Sequence, residues 1–564
     1  MLLPRPRMLS GTALIVGASL FFALTSNMPF LRAVLAGRNW SEPQTWLFGG
    51  AMLALLLALH VLLLGMLLVR PLTRVLLGLL IVVTAFATYY MQRFGVFLDP
   101  TMLRNVVKTD PSEAVELFGW GMLPHLFLFA GLPLLLLSRL RVTHETLRRA
   151  LATRMLLLAG SAVLLLAALL LVFQDFSALM RNQKELRYLI TPANYLYSLG
   201  RVLADDGRTL GTARQAVGAD ARLDASWASR DKPVLFIVAV GETARSANWG
   251  LSGYSRQTTP RLAELDVLNF RDVTACGTNT ETSLPCMFSA IGRRDYNEMR
   301  IRTSESLLHV LNRAGFQVLW RDNQSGCKGV CDGLPQQLSD AALTPDLCSD
   351  GRCLDESLLR GLDTVARDAK GNLVVALHML GNHGPAYHKR YPDGFRRFTP
   401  TCDTGELRKC TREEIVNAYD NALSYTDEVL AKTVDFLRAQ QSRYDTALLY
   451  VSDHGESLGE KGLYLHGVPY AIAPDEQTKV PMVWWFSRGF LDSLGLDRGC
   501  LAAQTAKAWS HDNLFHSVLG LLRIETKDYA AELDISGACR RLGQAGQKDR
   551  AAQNALASFP GAQS

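Results

Sequence analysis

No cysteine precedes Cys276, and none of the chain's ten forms a C-x-x-C pair. The first absence leaves the amino-terminal half without thiols, and the second removes the spacing expected of a cysteine-ligated zinc site. The formal net charge is a modest +6, part of it carried by arginines between apolar segments, which excludes the basic footprint of a nucleic-acid-binding protein. No internal repeat is present. What the chain does have is apolar sequence, and it is concentrated at one end.

Before residue 175 five apolar stretches approach membrane-spanning length: Gly11 to Ser26, Trp46 to Val69, Leu72 to Met91, Gly119 to Leu137 and Met155 to Phe173. About 20 apolar residues cross a bilayer, so five transmembrane helices are predicted. Arg5 and Arg7 ahead of the first stretch also suit a signal peptide, but Ser26-Asn27-Met28-Pro29-Phe30 offers no A-x-A-like cleavage site and further spans follow. We read a retained helix. Arg5, Arg7, Arg70, Arg74, Arg139, Arg141, Arg148, Arg149 and Arg154 fall on one side of a chain that crosses five times, and the basic-rich side is cytoplasmic. An odd number of crossings then exports everything after Phe173.

The cysteines test that topology independently. All lie between Cys276 and Cys539, as an oxidising compartment would lead one to expect. Close neighbours are Cys276 and Cys286, Cys327 and Cys331, Cys348 and Cys353, and Cys402 and Cys410, with Cys500 and Cys539 left over. Sequence does not fix the connectivity.

These features divide the chain into a transmembrane domain (1–174), a connector (175–231), an exported domain (232–542) and a disordered Ala-, Gln- and Gly-rich tail (543–564). In the connector, Asp175 to Tyr197 mixes aromatic, apolar and charged residues and suits helices lying on the outer membrane face, whereas Leu203 to Asp231 reads as a linker. From Pro233 onward, apolar strands (Val234–Val240, Phe316–Trp320, Leu373–Leu377, Ala447–Val451, Val480–Trp485) alternate with helical stretches such as Ser304–Ala314 and Glu413–Arg438. That alternation predicts an α/β sandwich.

Three separated stretches carry chemistry: Val240-Gly241-Glu242-Thr243, Cys276-Gly277-Thr278-Asn279-Thr280, and Ser452-Asp453-His454-Gly455-Glu456-Ser457. The first and third follow β-branched apolar runs, which puts Glu242 and Asp453-His454 just past strand carboxyl ends, the edge where α/β sheets bind ligands. A Glu, an Asp and a His with a nearby Thr suit a zinc-like dication, and a metal-bound threonine hydroxyl can act as a nucleophile at neutral pH. Thr280 is the predicted nucleophile, with Thr278 and Thr282 as rivals in the same loop. His60, His125 and His378 are expected to pack or to make structural hydrogen bonds.

Five amino-terminal spans, Gly241-Glu242-Thr243 after the first strand, the run Cys276-Gly-Thr-Asn-Thr-Glu-Thr-Ser-Leu-Pro-Cys286-Met-Phe-Ser289, and Ser452-Asp-His-Gly-Glu-Ser457 together resemble the lipid A phosphoethanolamine transferases of Gram-negative bacteria, which include the mobile colistin-resistance enzymes. The resemblance covers nearly the whole chain and implies an alkaline phosphatase/sulfatase-like catalytic domain in the periplasm. It also implies zinc on Glu242, Thr280, Asp453 and His454, with Thr280 also the nucleophile. By the same resemblance His383 and His466 contact the phosphate or a second zinc, and Asn105, Thr109, Glu113, Ser325 and Lys328 contact the substrate. Asn105, Thr109 and Glu113 are spaced four apart and would share one face of a helix.

The activity so implied is transfer of phosphoethanolamine from phosphatidylethanolamine to a phosphate of lipid A, with weakened binding of cationic polymyxins as its consequence. A phosphoethanolamine or phosphoglycerol transferase acting on another glycan or glycolipid is the nearest rival. A hydrolytic sulfatase is disfavoured, because no C-x-P-x-R sequence appears. The expected partners are the two lipids and the surrounding membrane, with no nucleic acid, and the protein is expected to be a monomer.

Overall fold

The computed structural model describes residues 7–69, 72–109, 111–143, 146–209, 213–349 and 352–540. The proposed tail, 543–564, and the cytoplasmic-loop residues Arg5 and Arg70 lie outside the described residues. Contacts group the chain into two compact units: Met1–Thr109, Leu117–Arg208 and Gly459–Ala471 in the first, Asp110–Glu116, Thr209–Leu458 and Ile472–Ser564 in the second.

Among the described residues of the first unit, four helices are long and apolar enough to cross a membrane: Pro43–Leu67, Thr73–Phe94, Met122–Arg139 and Leu147–Leu171. A bent pair, Gly11–Ser26 and Met28–Leu35, makes a fifth if counted as one span, its halves meeting at 55°. The bend has local causes. The chain widens into a π-helical turn over Phe22–Ser26, and Pro29 enters the next helix without an N–H for the preceding turn. Buried Asn27 stabilises the corner, donating to the Thr191 carbonyl (2.8 Å) while its own carbonyl accepts the Thr191 N–H (3.0 Å). His60, wholly buried, lies 2.9 Å from the same Thr191 carbonyl, the structural role expected of it. Leu156, Val163 and Leu170 face outward, an arrangement suited to lipid and costly in water.

The second unit is built on an eight-stranded mixed sheet. In chain order its strands are β1 (Val234–Gly241), β2 (Leu268–Thr274), β3 (Gln317–Asp322), β4 (Gln336–Leu338), β5 (Leu373–His378), β6 (Asp445–Ser452), β7 (Lys479–Phe486) and β8 (Ala508–Ser510). Their spatial order is β8-β2-β7-β6-β1-β5-β3-β4. The centre, β6-β1-β5-β3, is parallel, while β7 runs antiparallel to both neighbours. Every residue of β1 and β6 is buried, which explains why both read as unbroken apolar runs rather than alternating ones. Helices cover the sheet. The longest, Arg412–Ala439, opens with a reciprocal capping box between Thr411 and Glu414.

All ten cysteines pair: Cys276 with Cys286, Cys327 with Cys331, Cys348 with Cys353, Cys402 with Cys410 and Cys500 with Cys539.

Two expectations need correction. The presumed linker Leu203–Asp231 instead begins inside a helix, Ala193–Thr209, and its described residues from 213 onward are part of the second unit. Its few large apolar residues hold it there: Leu223 and Trp227 pack on the core, the Trp227 indole donates to the Leu522 carbonyl (2.9 Å), and the short strand Arg222–Leu223 pairs with Ile524–Glu525. Secondly, Asn105, Thr109 and Glu113 do not share one helix. The first helix, Pro100–Lys108, stops at extended Thr109, and a new one runs Pro111–Glu116, its first position taken by a proline that has no N–H with which to continue a preceding helix. The Glu113 side chain lies outside the described residues.

Candidate metal centre

The carboxyl ends of β6, β1 and β5 lie side by side, Ser452 opposite Gly241 and His378 opposite Val240. Each strand releases one piece of the site there. Glu242 follows β1 directly, and Thr243 takes a left-handed turn (φ 52°) that a β-branched residue holds only under constraint. The constraints are present: the Thr243 N–H donates to Asp453 Oδ1 (3.2 Å), its carbonyl accepts the Tyr419 hydroxyl (2.6 Å), and the Ala244 N–H donates to Ser452 Oγ (2.9 Å). Gly381, in the loop after β5, has φ 52° and passes so near Glu242 that a Cβ there would lie 2.7 Å from the Glu242 carbonyl oxygen.

Glu242, Asp453 and His454 are wholly buried, and each offers a ligand atom within 4.8 Å of the others'. The His454 ring places Nδ1 2.9 Å from the Gly455 carbonyl, which leaves Nε2 facing the two carboxylates at 3.3 Å from Glu242 and 3.4 Å from Asp453. A donor fixed on one imidazole nitrogen and a free lone pair on the other is how histidine ligands are oriented. Burial pushes the Asp453 carboxyl up, and the adjacent Glu242 charge adds to this. Burial also opposes a charge on His454, but Asp453 and Glu242 outweigh it and hold the ring proton up to about 10. Metal-free, the cluster therefore retains a proton as its counter-charge, a place suited to a dication. Asp453 Oδ2 is buried and faces His454 Nε2 at 3.4 Å, the two atoms turned toward the same point as ligand atoms would be.

Thr280 comes to the same point from another element. It opens the helix Thr280–Met287, capped by Asn279, whose side chain accepts the Thr282 N–H (3.0 Å). Its hydroxyl donates to Glu242 at 3.1 and 3.2 Å and lies 3.4 Å from His454 Nε2. The start of a helix is its positive end, a favourable setting for developing negative charge. His511, kept neutral because burial pushes it down to about 3, bridges the Cys276 N–H and the Ser452 carbonyl (both 3.0 Å) and so ties this loop to the end of β6.

The other expected residues are placed less uniformly. Lys328, at φ 50°, donates to Ser325 Oγ (2.7 Å) and pairs with buried Glu281 (3.1 Å), the neighbour of Thr280. His383 is buried in the loop after β5. His466 lies in Gly459–Ala471, Asn105 in the helix Pro100–Lys108 and Thr109 just past its end, all in the first unit; the Thr109 hydroxyl donates to the Asn105 carbonyl (2.8 Å). Gln324 was missed by the sequence reading. Its amide donates to Glu242 Oε2 (2.7 Å), and its own N–H is held by Asp322, which also sits 3.2 Å from buried His378. The only signal was position, one residue before Ser325 and just past the end of β3.

A mixed sheet with buried acid, histidine and threonine side chains gathered at its carboxyl edge defines a sulfatase-type enzyme, and the sulfatase family model matches residues 234–524. The model described as phosphoethanolamine transferase EptA/EptB matches residues 56–206. Phosphoethanolamine transferase EptA of Escherichia coli K12 is 40% identical over 475 residues, 84% of this chain and 87% of its own length. Phosphatidylethanolamine transferase Mcr-1 of Escherichia coli is 36% identical over 79% of this chain and 83% of its own. The solved structure of the integral membrane protein lipooligosaccharide phosphoethanolamine transferase A from Neisseria meningitidis superimposes with a TM-score of 0.90 at 37% identity, covering 95% of this chain and 100% of that one. The chain belongs to the phosphoethanolamine transferase family, an integral inner-membrane enzyme with its sulfatase-like domain in the periplasm.

Proposed function

We propose that this protein transfers phosphoethanolamine from phosphatidylethanolamine to a phosphate group of lipid A, and that Thr280 is its nucleophile. The observation that carries this reading is the Thr280 hydroxyl, directed at both Glu242 oxygens from the start of a helix. Zinc held by Glu242, Asp453, His454 and the Thr280 oxygen would supply the positive charge that acidifies that hydroxyl. In the first displacement Thr280 Oγ bonds to the donor phosphorus as the phosphorus–oxygen bond to diacylglycerol breaks; the threonine proton leaves and diacylglycerol gains one. In the second, a lipid A phosphate oxygen attacks the same phosphorus and the bond to Thr280 breaks, the threonine oxygen taking up the proton that the acceptor phosphate gives up and so becoming a hydroxyl again. Two steps allow one site to serve two bulky lipids in turn. We assign His383, His466, Ser325 and Lys328 to the phosphate end of the headgroup, and Asn105, Thr109 and Glu113 to the headgroup as well. Capping an anionic phosphate with an amine lowers the attraction for polymyxins.

Mass spectrometry of lipid A from cells with and without the protein tests this reading. Added phosphoethanolamine on lipid A is the expected result. Unmodified lipid A beside a newly modified glycan or other glycolipid would move the activity to that acceptor.

A further inference from the structure

Away from the metal centre, one buried carboxylate is gripped by two guanidinium groups from separate loops. Glu116, the last residue of the helix Pro111–Glu116, has a side chain only 6% exposed. Arg352 Nε, in the hairpin closed by Cys348–Cys353, lies 3.0 Å from one carboxylate oxygen. Arg390 takes Glu116 with both terminal nitrogens, Nη2 on Oε2 and Nη1 on Oε1 at 3.3 Å. The third nitrogen of Arg390, Nε, donates to the main-chain carbonyl of His383 at 2.6 Å.

That last bond matters because of the loop it holds. Upstream of His383 the chain is fixed by the Gly381 N–H on Asp355 (2.8 Å) and by the Asn382 amide on the Tyr419 carbonyl (3.1 Å). His383 itself is held at its N–H by the Leu380 carbonyl (3.3 Å) and at its carbonyl by Arg390. The arginine side chain is wholly buried, so its planar fork is set by Glu116, whose charge compensates it. The seat of Glu116 is close-fitting: a Cβ at Gly405, in the loop closed by Cys402–Cys410, would lie 2.8 Å from the Glu116 carbonyl oxygen. Loss of the carboxylate charge leaves Arg390 a buried cation with no counter-charge from this residue, and the His383 carbonyl loses a fixed donor.

We infer that Glu116 is a positioning residue for His383, acting through Arg390. It rests on the proposed role of His383 toward the transferred phosphate. Full-length enzyme in lipid nanodiscs, with phosphatidylethanolamine as donor and lipid A as acceptor, tests it. Glu116→Gln should lower kcat about 10-fold or more, in the range of residues that orient a site's own groups, with metal content close to the parent's and a lowered thermal midpoint that still leaves the protein folded at the assay temperature. Arg390→Lys keeps the charge but cannot serve Glu116 and the carbonyl together, and should match it. In a His383→Ala background Glu116→Gln should cost less than about 2-fold, because residues acting through one group are not additive. Parent-like rates in both single variants, full additivity with His383→Ala, or a loss explained by missing metal or unfolded protein would overturn the inference. A parent enzyme that modifies no lipid A would overturn the proposed function and this inference together; an active parent with an indifferent Glu116 overturns the inference alone.

Discussion

Thr280→Ala is expected to reduce transfer by about 10⁴-fold or more while the protein still folds, since removing a nucleophile leaves only the binding and electrostatic parts of catalysis. The fold should tolerate the change. Capping of the helix Thr280–Met287 is done by Asn279, and the sheet beneath does not depend on the Thr280 side chain. Stability should therefore shift by no more than about 1 kcal/mol, a small effect among point substitutions. Thr280→Ser keeps the oxygen and should retain measurable transfer. Purified variants assayed for lipid A modification, with circular dichroism as the folding control, check both statements. Full activity in Thr280→Ala would pass the role to Thr278 or Thr282.

Glu242→Ala is expected to bring bound metal, measured by elemental analysis, down to background, and transfer with it. Three buried ligand groups, two of them carboxylates, match the charge of a dication; with Glu242 gone, Asp453 and His454 compensate one another and little attraction for a metal remains. The same residue accepts the Thr280 hydroxyl and the Gln324 amide, so its removal also releases the nucleophile. Chelation of the parent enzyme should reproduce the loss, and added zinc should reverse it. Retention of stoichiometric metal in Glu242→Ala would place the ion elsewhere.

How much of this could be read from the chain depended on sequence distance. The central strands were legible because β1 and β6 are buried on both faces and so read as apolar runs, and Glu242 and Asp453-His454 followed from standing just after them. Strand β2 was not read: in Leu-Asn-Phe-Arg-Asp-Val-Thr only Leu268, Phe270 and Val273 are buried, and the polar residues between them break the run. β8 has three residues, too few for a pattern. The spacing of Asn105, Thr109 and Glu113 suggested a shared face, but Pro111 stands between the last two and opens a new helix rather than continuing the first. Gln324 and Glu116 stayed invisible for a different reason. Their importance lies in partners far along the chain, Gln324 82 residues from Glu242 and Glu116 274 residues from Arg390, and neither periodicity nor a local motif reports such pairs.

The central claim is a covalent intermediate on Thr280, and trapping it is the most direct test. The enzyme, incubated with phosphatidylethanolamine labelled in its headgroup and no acceptor, then quenched and digested, should carry label on the peptide containing Thr280, and subsequent addition of lipid A before quenching should remove it. Label that never appears on protein while lipid A is still modified, or label on a residue other than Thr280, would contradict the account.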